Sequence, residues 1–317
     1  MRNAMRTTAE TPTRFLSVLD FDRATLKECL DLAASLKSAR ALRRSHVRPL
    51  EGRHVALIFE KPSLRTRTTF QIAIRELGGD VVEPPAEVVL GGRETLPDVA
   101  RNLERWVHGV VMRTFAQSRI QTFADAAPSL RVVNALTDEE HPCQALADCL
   151  TMIEKWGDLR GRTIAFVGDG NNVAASLAQA AAMLGATVRV ASPEGFELPQ
   201  DVRKSVRRVA RSGGGVEIVN DPFEGVRGAD AVYTDVWASM GQESEAEARQ
   251  VLFAPFQVNA ELMASAAPGA LFMHCLPAHR GDEVTSDVID SPASIVFDQA
   301  ENRLHTQKAL LSLLFAN

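Results

Sequence analysis

Apolar residues in this chain fall in short dense runs, separated by stretches in which they recur every three or four positions. The runs at 54–59, 109–113, 131–136, 162–168, 187–191, 216–219, 231–234 and 270–274 are apolar on both faces, which predicts strands buried in parallel sheets. The intervening stretches predict helices. Leu26, Leu30, Ala33 and Leu36 share one face of the first, and Pro97 stands in the opening turn of another, ahead of Val99, Leu103 and Trp106. The helix after Ser63 is expected to stop at Gly78-Gly79, and the helix after Asn172 at Gly185, because glycine takes the left-handed conformation that ends a helix. Longer helical patterns cover 141–156 and 299–315.

Strand–helix–strand repetition of this kind predicts an α/β fold of two domains, each a parallel β-sheet flanked by helices. The 317 residues suffice for two such domains. One set of units precedes the helix 141–156 and one follows it, with no Gly/Ser-rich linker, so that helix is expected to join the domains rigidly. Folded patterning starts at Phe15, leaving 1–14 as an expected disordered tail. Ligands of open parallel sheets bind beyond the carboxyl ends of the strands. Segments 60–67, 137–144, 169–172, 235–240 and 275–280, together with Arg113, all follow predicted strands and concentrate polar, reactive side chains. Both domains contribute, so the active site is expected in the cleft between them.

Composition narrows the class. Hydrophobic content of 45% and charged content of 24% describe a soluble globular protein, and a net charge of -5 disfavours a nucleic-acid or anionic-membrane surface. The basic run 203–211 reads as a solvated helix face. Cys29, Cys143, Cys149 and Cys275 form no C-x-x-C pair, match no zinc spacing, and fit a reduced, cytoplasmic compartment. No apolar run approaches a membrane span, and the N-terminus lacks the hydrophobic stretch of a secretory signal.

The strongest chemical signal is at residues 59–70. Ser63, Arg65, Thr66 and Arg67 gather at one predicted helix start, where backbone N–H groups are unpaired and the helix dipole is positive. Cationic side chains are disfavoured there unless an anion offsets them, so the cluster predicts a site for phosphate or a similar dianion. The structural alternative is a Ser63 cap with arginines paired to carboxylates. Arg113, ending a strand, is either a solvated strand end or a second clamp on the same anion. His141 and Gln144 share a face of a helix start and suit a carbonyl oxygen; a capping His with a solvated Gln is the plainer reading. Residues 168–173 begin like a dinucleotide fingerprint, but Val173 holds the third glycine's position, and Ser192-Pro193 follows the next strand where an acidic residue would stand. Asn172 is left to orient a small polar ligand. Asp235 suits a substrate ammonium group or a turn. Cys275 is either a small buried hydrophobe or a nucleophile with His274 or His279 as base, the latter disfavoured for want of a clear partner.

Taken in order, these motifs resemble those of the aspartate/ornithine carbamoyltransferase family, from Phe15 to the last helix. Ser63-Leu64-Arg65-Thr66-Arg67 resembles the family's Ser-Thr-Arg-Thr-Arg carbamoyl-phosphate loop, and His141-Pro142-Cys143-Gln144 its carbamoyl-oxygen site. Asp235 through Gly241 resembles the ornithine signature Asp-x-x-x-Ser-Met-Gly. His274-Cys275-Leu276-Pro277 has the ornithine-branch form, where the aspartate branch carries Pro in place of Cys275, and 298–303 matches the C-terminal motif.

The resemblance implies transfer of a carbamoyl group from carbamoyl phosphate to the δ-amine of L-ornithine, giving L-citrulline and phosphate, without metal or organic cofactor. It implies a phosphate site of Ser63, Leu64 through its backbone N–H, Arg65, Thr66 and Arg113. His141, Gln144, Cys275, Leu276 and Arg303 would surround the carbamoyl group, with a cis Leu276–Pro277 bond. Asn172, Asp235, Ser239 and Met240 would bind ornithine. Asp235 with Cys275 would position the amine and ease its proton loss, while Arg113, His141 and Thr66 stabilise the oxyanion. The expected division is a carbamoyl-phosphate domain at 15–145, completed by the helix 299–317, and an ornithine domain at 146–298. A cytoplasmic homotrimer with sites shared between subunits, working in arginine biosynthesis, completes the expectation. Another amine acceptor (putrescine, N-acetyl- or N-succinylornithine) and a non-catalytic anion-binding role are the alternatives. Two positions depart from the family. Leu64 replaces a usual Thr and removes a hydroxyl. The loop 87–94, which in the family reaches a neighbouring subunit's site, carries Val89 where many relatives have Gln.

Overall fold

The computed structural model describes residues 12–211, 213–238 and 246–316. Its first unit runs β1 (Arg14–Phe15), α1 (Arg23–Ala41), β2 (His54–Phe59), α2 (Leu64–Glu76), β3 (Asp80–Val82), α3 (Ala86–Leu90), α4 (Leu96–Trp106), β4 (Gly109–Arg113), α5 (Gln117–Ala126) and β5 (Arg131–Leu136). Helix α6 (Pro142–Trp156) leads into the second. That unit runs β6 (Thr163–Val167), α7 (Asn172–Met183), β7 (Thr187–Ala191), α8 (Gln200–Val209), β8 (Gly215–Val219), α9 (Pro222–Val226), β9 (Ala231–Thr234), α10 (Ala246–Phe253), α11 (Ala260–Ala264), β10 (Leu271–His274) and α12 (Ser286–Ile289). Helix α13 (Val296–Leu314) closes the chain.

Both sheets are parallel throughout, in the orders β1-β5-β4-β2-β3 and β10-β9-β6-β7-β8. The central strands are the predicted apolar runs, trimmed by a residue at 162, 168 and 270 and extended by one at 215. The apolar pattern does not reveal β1 and β3. Both are short edge strands, and β3 opens on Asp80. Arg14 pairs opposite Val132, so pairing begins one residue before Phe15; of the expected tail, residues 1–11 lie outside the described residues. Part of the 87–94 segment is helical as α3, which turns Val89 and Leu90 into the core with Val99 and Leu103.

Local chemistry sets the helix ends. Thr95 caps α4 by accepting from the Asp98 N–H, with Pro97 in the first turn. Gly78 and Gly185 take positive φ just past the ends of α2 and α7. The inner helices α1, α2, α6, α7 and α13 share one continuous apolar cluster with the inner faces of both sheets, from Phe15 and Phe70 to Phe166 and Tyr233. Separate clusters pack the outer helices on each sheet. The two sheets are therefore joined through side-chain packing and not through α6 alone. Helix α13 returns across the molecule to lie on α1, α2 and α6. There the fully buried Lys308 donates to Glu76 at 2.7 Å. Among the described residues no helix is long and apolar enough to cross a membrane.

Candidate active site

The carboxyl ends of β2, β4, β5, β6, β9 and β10 carry the residues that the sequence singles out. Ser63 is the N-cap residue of α2, but no side-chain hydrogen bond caps the helix, so its first N–H groups have no partner from that hydroxyl. Leu64 is 77% exposed, and its backbone N–H stands at the helix start. The two arginines of this turn separate. Arg67 turns away to Glu83 at the end of β3, with Nε at 2.7 Å, whereas Arg65 is half-buried and lies within electrostatic reach of Asp235 and Cys275 on the other unit. Burial lowers the Arg65 pKa. The carboxylate-pairing alternative thus describes Arg67, while Arg65 stays on the cleft side.

Arg113 is buried at the end of β4. Its pKa is pushed down to about 10, first by burial and then by Arg303. Arg303, fully packed in α13, donates from Nη1 to Gln144 Oε1 at 2.6 Å and from Nη2 to Thr66 Oγ1 at 2.8 Å. His141 precedes α6, and its backbone N–H donates to Ser176 Oγ at 2.9 Å. Burial, then Arg303, Arg113 and Arg65, hold its pKa well below the usual imidazole value, so the ring is neutral. Arg113 Nε, His141 Nδ1 and Arg303 Nε are all buried without a hydrogen-bond partner. Unpaired polar groups in a protein interior are costly, and these three lie in one electrostatically coupled cluster with Arg65, with hydrogen-bonding capacity left for a polar ligand.

Across the cleft, Cys275 Sγ donates to Asp235 Oδ1 at 3.0 Å. Burial and then Asp235 raise the thiol pKa well above its ordinary value, the reverse of what a thiolate nucleophile needs. His274 cannot serve as its base. Its Nδ1 accepts from the Leu276 N–H at 2.8 Å, and its Nε2 faces Glu283 at 3.1 Å. The same engagement argues against a metal at Asp235, His274 and Cys275, which otherwise lie close enough to share an ion. Leu276 takes φ +58° and the Leu276–Pro277 bond is cis.

Asn172 does not reach Asp235. Its Nδ2 donates to the Thr137 carbonyl at 2.6 Å and ties α7 to the turn after β5. The preceding residue holds the carboxylate: Asn171 Nδ2 donates to Asp235 Oδ2 at 2.8 Å, while Asn171 Oδ1 accepts from the Val173 and Ala174 N–H groups. Sequence reasoning missed Asn171, although its place as N-cap of α7 was readable. A side chain built at Gly170 would meet the backbone of Leu198 at 2.4 Å, so the close approach this glycine permits is to the chain itself and not to a pyrophosphate. Ser239 and Met240 lie outside the described residues.

Two parallel-sheet units facing one cleft, with a cationic helix start on one side and a carboxylate–thiol pair on the other, define a two-domain α/β protein with a composite polar site. Residues 13–154 match the model of the aspartate/ornithine carbamoyltransferase carbamoyl-P binding domain, and residues 160–314 that of the Asp/Orn binding domain. The chain belongs to the aspartate/ornithine carbamoyltransferase family. It is 51% identical over 304 residues to an ornithine carbamoyltransferase of Symbiobacterium thermophilum, covering 95% of this chain and 97% of that one. An anabolic ornithine carbamoyltransferase of Pyrococcus furiosus is 48% identical over 94% of this chain and 95% of its own. A solved structure of ornithine carbamoyltransferase from Pyrococcus furiosus superposes with a TM-score of 0.91 at 48% identity, over 96% of this chain and 97% of that one.

Proposed function

We propose that this protein is an ornithine carbamoyltransferase, moving the carbamoyl group of carbamoyl phosphate to the δ-amine of L-ornithine to give L-citrulline and phosphate in arginine biosynthesis. The observation that carries the reading is the set of orphaned buried nitrogens on Arg113, His141 and Arg303 beside the uncapped start of α2. Phosphate binds at the α2 N-terminus, with Ser63, the Leu64 N–H, Arg65, Thr66 and Arg113 around it. Neutral His141 donates to the carbamoyl oxygen, Gln144 and Arg303 line the group, and Cys275 and Leu276 close it from the second unit. Arg113 and Thr66 join His141 in holding the tetrahedral oxyanion. Asp235 holds the neutral amine against the carbonyl carbon and stabilises the positive charge that develops on the nitrogen, whose proton is passed to the departing phosphate, with Asn172, Ser239 and Met240 binding the rest of ornithine. The C–N bond forms, the C–O bond to phosphate breaks, and phosphate leaves on the helix start. Holding two reactants in register supplies a large part of the acceleration.

The domain division follows the same reading: 15–145 with 299–317 for carbamoyl phosphate, and 146–298 for ornithine. The packing of α13 on α1 and α2 supports assigning it to the first. We further assign a homotrimer in the cytoplasm. The assembly draws support from Leu64, Val82 and Val88 of the first unit, apolar side chains left exposed and available to a neighbouring copy. The test is citrulline formation from carbamoyl phosphate with ornithine, aspartate, putrescine, N-acetylornithine or N-succinylornithine as acceptor. Product with ornithine is expected; product with aspartate or putrescine alone would overturn the substrate assignment.

A further inference from the structure

A buried carboxylate lies behind both halves of the cleft. Asp148, on α6, accepts from Gln144 Nε2 at 2.8 Å and from Gln299 Nε2 at 2.9 Å, both on Oδ1. Its Oδ2 accepts from the Tyr233 hydroxyl at 3.2 Å. Burial pushes its pKa up to about 6, so it is ionised at pH 8. An ionised carboxylate only accepts, and it therefore fixes the polarity of every amide it meets. Both glutamines must turn their NH2 groups toward Asp148 and their carbonyl oxygens away, in different directions. Gln144 Oε1 then accepts from Arg303 Nη1, and Arg303 reaches on to Thr66. Gln299 Oε1 accepts from the His274 N–H at 3.0 Å, next to Cys275.

We propose that Asp148 is a positioning residue that sets both sides of the cleft at once, orienting Arg303 through Gln144 and the end of β10 through Gln299. The proposal rests on the carbamoyl-transfer reading. Reversing either amide would place donor against donor, at Arg303 on one arm and at the His274 N–H on the other. Each reversal loses two buried hydrogen bonds, and such networks tolerate partial satisfaction poorly. No single carboxylate placed on one unit would couple the arms this way. Asp148 does so because α6 runs between the sheets, with α13 crossing over it.

Two replacements separate the effects. In Asp148→Asn the oxygen can still accept from both amides while the new NH2 faces the tyrosine oxygen, so polarity survives. Asp148→Leu removes the acceptor at similar volume. Steady-state kinetics in both substrates is the measurement. The Asn variant is expected within about fivefold of wild-type kcat, and the Leu variant, checked for folding by circular dichroism, about a hundredfold or more below it. Gln299→Leu cuts only the arm that reaches Cys275 and, through its Sγ, Asp235, so the ornithine KM is expected to rise about tenfold. The carbamoyl phosphate KM is expected to rise less, by about threefold, because Cys275 and Leu276 also border the carbamoyl group while the Gln144–Arg303–Thr66 arm is kept. An active Leu variant, an Asn variant as impaired as Leu, or a Gln299→Leu variant that raises both KM values alike would overturn the proposal. If Asp148→Leu fails to fold, the Gln299→Leu split decides alone. Wild-type protein without citrulline formation overturns the carbamoyl-transfer reading and this inference with it; active wild type without the split overturns this inference only.

Discussion

Arg65 and Arg67 stand two positions apart on one helical turn and do opposite things: one faces the cleft, and the other is held by Glu83. Their shared unfavourable place in the first turn of α2 was legible in the sequence, but their partners were not. Arg113 shows the same division. Its strand-end position was readable, while the like charge that adds to burial in lowering its pKa was not, because Arg303 approaches from α13. Arg113→Ala is expected to lower kcat/KM by about a hundredfold or more without loss of thermal stability, because the buried Nε it removes has no partner to lose. Kinetics paired with thermal denaturation checks both halves. Asp148 gives a pH signature. Its folded pKa of about 6 lies above the ordinary 3.8, so between those values the native state holds more protons than the unfolded chain, and this group's contribution to stability falls as pH rises. Fully ionised, it costs the fold about 3 kcal/mol. Urea denaturation is expected to show Asp148→Asn gaining stability over wild type as pH goes from 4 to 8; a constant offset would contradict the assigned cause.

At the scale of elements, the start of α7 joins structure to chemistry. One carbonyl oxygen of Asn171 caps the helix, and its NH2 group holds Asp235. Asn171→Ala should cost about 1 kcal/mol through the lost cap and also raise the ornithine KM. Asn171→Asp should keep the cap but set two carboxylates against each other, raising that KM with little change in melting temperature. If the two variants behave alike in both measurements, the double role is wrong. The core strands and long helices were legible because their periodicity is local and strong. Strands β1 and β3 were not, since two or three edge residues carry too little pattern to distinguish from a turn. Helix α3 was hidden in the same way, and its burial of Val89 turns that side chain into its own subunit's core and away from any neighbour.

For the molecule as a whole, the proposed homotrimer predicts a solution mass of three chains by light scattering. Charged replacements at Leu64 and Val82 are expected to shift it toward the monomer, and an unchanged mass would remove those residues from the interface. The two units meet through one continuous core and through polar ties such as Asn172 to Thr137 and Ser176 to Glu140. By itself the sequence determined the order of the core strands and long helices, the parallel architecture, the ends of strands where reactive groups collect, and the cationic start of α2. Those follow from side-chain periodicity and helix-end chemistry, which act over a few residues. Only the tertiary structure decided which arginine faces the cleft, that Asn171 and not Asn172 holds Asp235, and that Asp148 accepts from the two glutamines that lead to Arg303 and to the end of β10. Those choices are made by contacts between residues as far apart as Thr66 and Arg303, a separation of 237, and the partner of a buried polar group is set by whichever element the fold brings against it.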